Sequence, residues 1–254
     1  MARSLARLEA EFMNSLKLLF KRETFVPLLA MTFASAVCVA VVLLRIAWTG
    51  QIRYGFLAWN LFLAWLPLLF ALLARENYRA GEKPGWRFLG SSAAWWLFFP
   101  NAPYIFTDLI HLTSRYLSHF WVDLSVILSC AFTGLILGFV SLYLMHSVVT
   151  RMLGRTAGWL FVAGATGLCS FGIYLGRFLR FNSWDIVAKP AELYQGISSV
   201  ATGQYAHHGH FAFLTLFATF IFIAYVMLYA LAHLPTAAQM RTAAYDKAES
   251  SKTA

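Results

Sequence analysis

Five long stretches of this chain carry no Asp, Glu, Lys or Arg at all: Phe25–Leu44, Phe56–Ala74, Leu124–Val149, Gly158–Leu175 and Phe211–Leu231. An apolar run of about 18 residues or more can cross the roughly 30 Å hydrocarbon core of a bilayer as one helix. Only 12% of the 254 residues are charged, against about 25% in soluble domains, so lipid rather than water is the main solvent for this surface. A sixth stretch, Phe88–Phe99, has only 12 residues, about 18 Å of helix. Pro100 and Pro103 interrupt it, and Tyr104–Leu112 resumes the apolar pattern. That segment is either one kinked helix or a short helix followed by a second piece at the membrane boundary. The expected architecture is therefore all-α, a polytopic integral membrane helix bundle of about six transmembrane helices.

Basic residues set the expected orientation. With six crossings and the N-terminus inside, the inner segments hold 14 Lys and Arg and the outer segments hold 6. The positive-inside rule then predicts an N-in/C-in chain. The net charge of +9 is spread between apolar blocks instead of forming one patch, which argues against nucleic acid and for the lipid bilayer as partner. Residues 1–24 place Leu5, Leu8, Phe12, Leu16 and Leu19 at helical spacing among basic residues. They read as a basic amphipathic cytoplasmic helix. The first span continues past Ala34-Ser35-Ala36, as an uncleaved anchor does. Residues 25–235 form the membrane domain, with outer-face loops at 100–123 and 176–210, and 236–254 is a polar tail with a disordered composition.

The two outer loops hold the polar residues that topology leaves unexplained. In the first, Asn101 can cap a helix whose first turn holds Pro103. Tyr104, Asp108 and His111 then share one helical face. An adjacent Asp and His can bind a metal or orient one another for proton transfer, and they also suit a polar face at the headgroups. In the second, Arg177, Arg180, Asn182, Ser183, Trp184 and Asp185 fall within nine residues. Asn182 and Asp185 have the spacing of a helix cap, but a cap accounts for neither Trp184 nor the two arginines, which run against the positive-inside bias. Arg177 and Arg180 suit anionic groups or a carboxylate such as Asp108. A mixed polar cluster at membrane depth is a candidate site. An outer Asp108 near hydrocarbon needs a cation, so the two segments are expected to touch.

His207, His208 and His210 follow, and with Asp108 and His111 they are weak metal-ligand candidates. Cys38, Cys130 and Cys169 lie inside apolar blocks, where thiols act as small hydrophobes. Gly134/Gly138, Ala163/Gly167 and Gly172/Gly176 have the small-residue spacing of close helix packing. No zincin helix, nucleophile elbow or phosphate-binding loop occurs. His146 and His233 lie near inner span ends, as haem ligands between helices would, and no cofactor is legible.

Phe-Pro-Asn-Ala-Pro-Tyr, then Thr-Asp-Leu-Ile-His-Leu, and later Arg-Phe-Asn-Ser-Trp-Asp resemble the signature stretches of a bacterial multi-pass membrane family, domain-of-unknown-function family 1361. The resemblance covers most of residues 30–235. Its matching positions are Pro100, Asn101, Pro103, Tyr104, Asp108, His111, Arg177, Asn182, Ser183, Trp184 and Asp185. It implies a bacterial inner-membrane location and carries no activity.

Three function classes fit. A binding or assembly role toward a lipid headgroup or another membrane protein ranks first, through Asn101, Tyr104, Arg177, Arg180, Asn182, Ser183 and Trp184. A small-solute or ion transporter ranks second, because the spans lack midplane charges. An enzyme using Asp108, His111 and Asp185 ranks third, in the absence of a catalytic motif.

Overall fold

A computed structural model of the chain describes residues 22–52, 54–80, 84–112, 119–201 and 208–234. Residues 1–21 and the tail from 235 on, where the amphipathic helix and the disordered segment are expected, lie outside the described residues. The described chain is all-helical. In order it runs α1 (Arg22–Thr49), α2 (Phe56–Ala80), α3 (Trp86–Phe98), α4 (Asn101–Tyr104), a 3-10 turn (Ile105–His111), α5 (Phe120–Leu153), α6 (Arg155–Arg177), α7 (Asp185–Ala188), α8 (Pro190–Ala201) and α9 (His208–Ala232).

Among the described residues, five helices are long and apolar enough to cross a membrane: α1, α2, α5, α6 and α9. The short third stretch nevertheless traverses the bundle. Tyr78 of α2 packs on Phe88 at one end, and Asn60 of α2 bonds Asp108 at the other. Phe99, Pro100, Tyr104 and Ile105 all keep right-handed helical dihedrals, so α3, α4 and the 3-10 turn form one bent rod. Residues 100–111, read from sequence as the start of an outer loop, are thus helical and built into the bundle.

The prolines explain the bend. Proline cannot donate to the carbonyl four residues back, and here the ladder slips: the Ala102 N–H bonds Phe99 O, three residues back, at 3.2 Å. Phe98 O, left over, takes the Asn101 side-chain amide at 3.0 Å. Asn101 therefore does not cap a new helix. It repairs a continuous one.

The central helix is α5. In its apolar window 61% of residues are buried, against 17% for α1 and 11% for α9, so α1 and α9 are the outer, lipid-facing members. Glycine lets the bent rod lie directly on α5. A Cβ at Gly134 would sit 2.8 Å from Ile105 Cδ1 and 2.9 Å from the Ala102 carbonyl oxygen, and one at Gly138 would sit 2.9 Å from Ala102 Cβ. Gly172 and Gly176 of α6 meet Pro100 and Tyr104 in the same way. The Ala163/Gly167 pair departs from this pattern: both residues are exposed and nothing lies within 4 Å of a Cβ at Gly167. That face of α6 looks outward.

Buried charge distinguishes one end of the bundle. Among the described residues the buried charged side chains, Arg45, Asp108, Asp123 and Asp185, all belong to the end holding the α1–α2 turn, the bent rod's C-terminus and the segment after α6. At the same end Arg45 Nε donates to Asp123 at 2.6 Å, and the Tyr54 hydroxyl donates to the other carboxylate oxygen at 3.0 Å. This brace ties α1 and the α1–α2 turn to α5. Exposed tryptophans, Trp48, Trp59, Trp121 and Trp184, ring the same end, as aromatic side chains do at a headgroup layer.

Candidate functional site

Asp108 is 1% exposed, and an ionised carboxylate that deep is tolerated only when paired and hydrogen-bonded. It has both. Arg177 Nη2 donates to Oδ1 at 2.5 Å, and Asn60 Nδ2 donates to Oδ2 at 2.9 Å. Arg177 is held on three further sides. Its Nε and Nη2 donate to Thr107 Oγ1 at 2.9 and 2.6 Å, and its guanidinium lies 4.5 Å from the centroid of the Tyr104 ring, a cation–π arrangement. Nη1 faces His111 Nε2 at 3.4 Å. A guanidinium only donates, so the imidazole nitrogen in that contact is an acceptor. Asp108 and His111 stand 3.9 Å apart on their shared face. The cation for Asp108 is Arg177 and not Arg180, which is exposed.

After α6 the chain turns back into the bundle. Arg180 has φ +61°, the left-handed region, which is uncommon outside glycine and recurs at functional sites. The reversal carries Ser183 inward to the broken stretch of the rod. There Ser183 Oγ donates to Leu97 O at 3.2 Å and accepts from Asn101 Nδ2 at 3.0 Å. The two polar motifs are thus joined twice, at Arg177–Asp108 and at Asn101–Ser183. Irregular backbone at such depth is found where it is buried in protein or lines a polar cavity.

The space enclosed is a cavity of about 430 Å³. Its floor is the bent rod, with Leu97, Pro100, Asn101, Tyr104, Asp108 and His111; α2 gives one wall, with Phe56, Trp59, Asn60 and Leu63. Gly172, Leu175, Gly176 and Arg177 of α6 line it, and Phe181, Asn182, Ser183, Ile186, Leu193 and Ile197 close it from the returning chain. Of the candidates read from sequence, Asn101, Tyr104, Asp108, His111, Arg177, Asn182 and Ser183 line this cavity; Arg180, Trp184 and Asp185 do not. Asp185 turns to its own loop, where its carboxylate accepts the Asn182 N–H at 2.6 Å. Trp184 is half exposed. His207 lies outside the described residues, and of His208 and His210 only the helical backbone is described. Among the described residues no three His, Cys, Asp or Glu side chains converge as metal ligands do. His146 and His233 are engaged at the far end, with the Tyr225 hydroxyl at 2.9 Å and Tyr229 O at 2.7 Å.

Asn60, Thr107, Leu63 and the Arg45–Asp123–Tyr54 brace were not legible as site or brace residues. A lone Asn inside an apolar span was the one signal available for Asn60.

Fold and site together define an all-helical membrane bundle with one polar cavity, tied across its floor by a buried ion pair. The chain belongs to the family of proteins of unknown function DUF1361, whose profile matches residues 59–236. The match takes in every cavity residue except Phe56 and leaves α1, with Arg45, outside. Neither a curated protein nor a solved structure matches the chain.

Proposed function

We propose that this protein is a multi-pass binding protein of the bacterial cytoplasmic membrane. Its cavity opens at the outer face and captures the polar part of a ligand held in or against the bilayer, a lipid headgroup or a segment of a membrane partner. The observation that carries this reading is the double tie between the two polar motifs, which holds Asn101, Asp108, His111, Arg177 and Ser183 around one enclosed volume. A helix-to-helix connector requires no such cavity.

Binding is favoured over passage through the bundle by the distribution of charge. Transport sites commonly sit at the midplane, with charges on the path, whereas the buried charges here gather at one end. The enzyme reading draws on Asp108 and His111, because Asp185 is not among the residues lining the cavity.

Two measurements test this. A reporter active only in the periplasm should work when fused after Ser118 and fail after Arg151 or Ala254; activity at Ala254 overturns the orientation. For the cavity, protein purified in mild detergent should carry one small molecule in near-stoichiometric amount, identified by mass spectrometry of its extract. Ile186, half exposed at the cavity mouth, can be enlarged without disturbing the ion pair. Ile186→Trp should reduce the retained species at least about tenfold, roughly 1.4 kcal/mol of binding, at unchanged thermal stability. Equal recovery from both proteins would remove the cavity from function.

A further inference from the structure

The cavity's fixed charges cancel. Among its lining side chains Asp108 and Arg177 are the carboxylate and the guanidinium, and they are bound to each other at 2.5 Å. His111 Nε2 lies 3.4 Å from Arg177 Nη1. A ligand bringing a net charge into this space would lose hydration and, among the described lining side chains, meet no unopposed counter-charge. A ligand whose own charges are paired, or one with only hydroxyl and amide groups, loses far less and can align with the Asp108–Arg177 dipole.

Apolar side chains line part of the cavity and of its rim, beside Asn60, Asn101 and Ser183 within and His111 and Asn182, which are exposed. Leu63 and Leu97 line it away from the ion pair, and at the mouth Trp59, Ile186 and Ile197 are exposed. Exposed apolar side chains at an opening mark contact with an apolar phase or partner. The exposed tryptophans at this end set the mouth at headgroup level.

We infer that the ligand of this cavity is a membrane lipid with an electroneutral polar head, which enters sideways between α2 and the α7–α8 segment and leaves its chains in the bilayer. The inference rests on the binding role proposed above. The head lies on the rod among Asn101, His111 and the ion pair, and the first chain methylenes pass Leu63 and leave beside Trp59 and Ile197.

The test uses delipidated full-length protein in detergent and native mass spectrometry with three probes: dioleoyl-phosphatidylethanolamine, dioleoyl-phosphatidylglycerol and chain-free glycerophosphoethanolamine. The zwitterionic lipid should be retained about tenfold over the anionic one, a difference of about 1.4 kcal/mol, and the chain-free head should not be retained. Ile197→Arg, which makes the rim polar, should abolish that preference. Preference for phosphatidylglycerol, or capture of glycerophosphoethanolamine as strong as that of its diacyl parent, would overturn the inference while leaving a binding cavity. Retention of both lipids equally by wild type and by Ile186→Trp, or no retention at all, would instead overturn the binding role itself.

Discussion

Arg177→Met should lower the unfolding free energy by about 3–5 kcal/mol, the loss typical when one partner of a buried ion pair is removed. The reason lies with what remains. Asp108 would keep its charge at 1% exposure with Asn60 as its remaining hydrogen-bond donor among those described above, while Thr107 and Tyr104 would lose the group they hold. Asp108→Asn in the Met background removes the stranded charge and should restore most of the loss, since a neutral amide needs only hydrogen bonds. A double-mutant cycle by denaturant titration in mixed micelles isolates the coupling. A loss below about 1 kcal/mol for Arg177→Met would put the pair in the class of solvent-exposed ion pairs and contradict its burial.

Asp123→Ala should cost a similar amount, about 3–5 kcal/mol, with a different signature. Arg45 and Asp123 side chains are 8% and 10% exposed, and the deletion also removes the hydrogen bond that the Tyr54 hydroxyl donates to Asp123. Because α1 buries so little of its surface, its hold on the bundle depends on a few polar ties. Among the described residues these include the brace, the Cys38–Thr133 contact at 3.4 Å and the Trp65–Ser35 bond at 3.1 Å. Hydrogen exchange should therefore quicken through α1 and leave the rod and α6 protected. Ligand retention should persist, since neither Arg45 nor Asp123 lines the cavity. Uniform loss of protection across all helices would show that α1 is integral to the folding unit.

Much of the fold is legible in the chain because hydropathy alone dictates it. Charge-free blocks of span length leave few alternatives to helices in lipid, and α1, α2, α5, α6 and α9 cover the five blocks read from sequence. The shared face of Tyr104, Asp108 and His111 follows from helical spacing, and the need of Asp108 for a cation follows from solvation, which leaves Arg177 or Arg180 as the partner. The choice between them depended on where the backbone reverses, and a left-handed residue at Arg180 is not written in local propensity. Likewise Asn101 carries a good capping side chain, and only the slipped ladder around Pro100 and Pro103 turns it to Phe98 O and Ser183. Asn60 and Arg45 find their partners by how far each helix is rotated about its axis. That rotation is set by packing among several helices and has no single-segment signature.

The glycine contacts between α5 and the rod divide the cavity mechanically. With the Ile105 side chain and the Ala102 carbonyl resting on Gly134, and Ala102 resting on Gly138, little space separates the two backbones, and such close packing resists relative motion. The floor of the cavity is for that reason an anvil of constant shape. Any breathing that admits or releases a ligand has to come from the opposite side, from α2 or from the returning chain between Phe178 and Ala201. Slowing that side alone would change rates of entry and exit and leave the chemistry of recognition as it is.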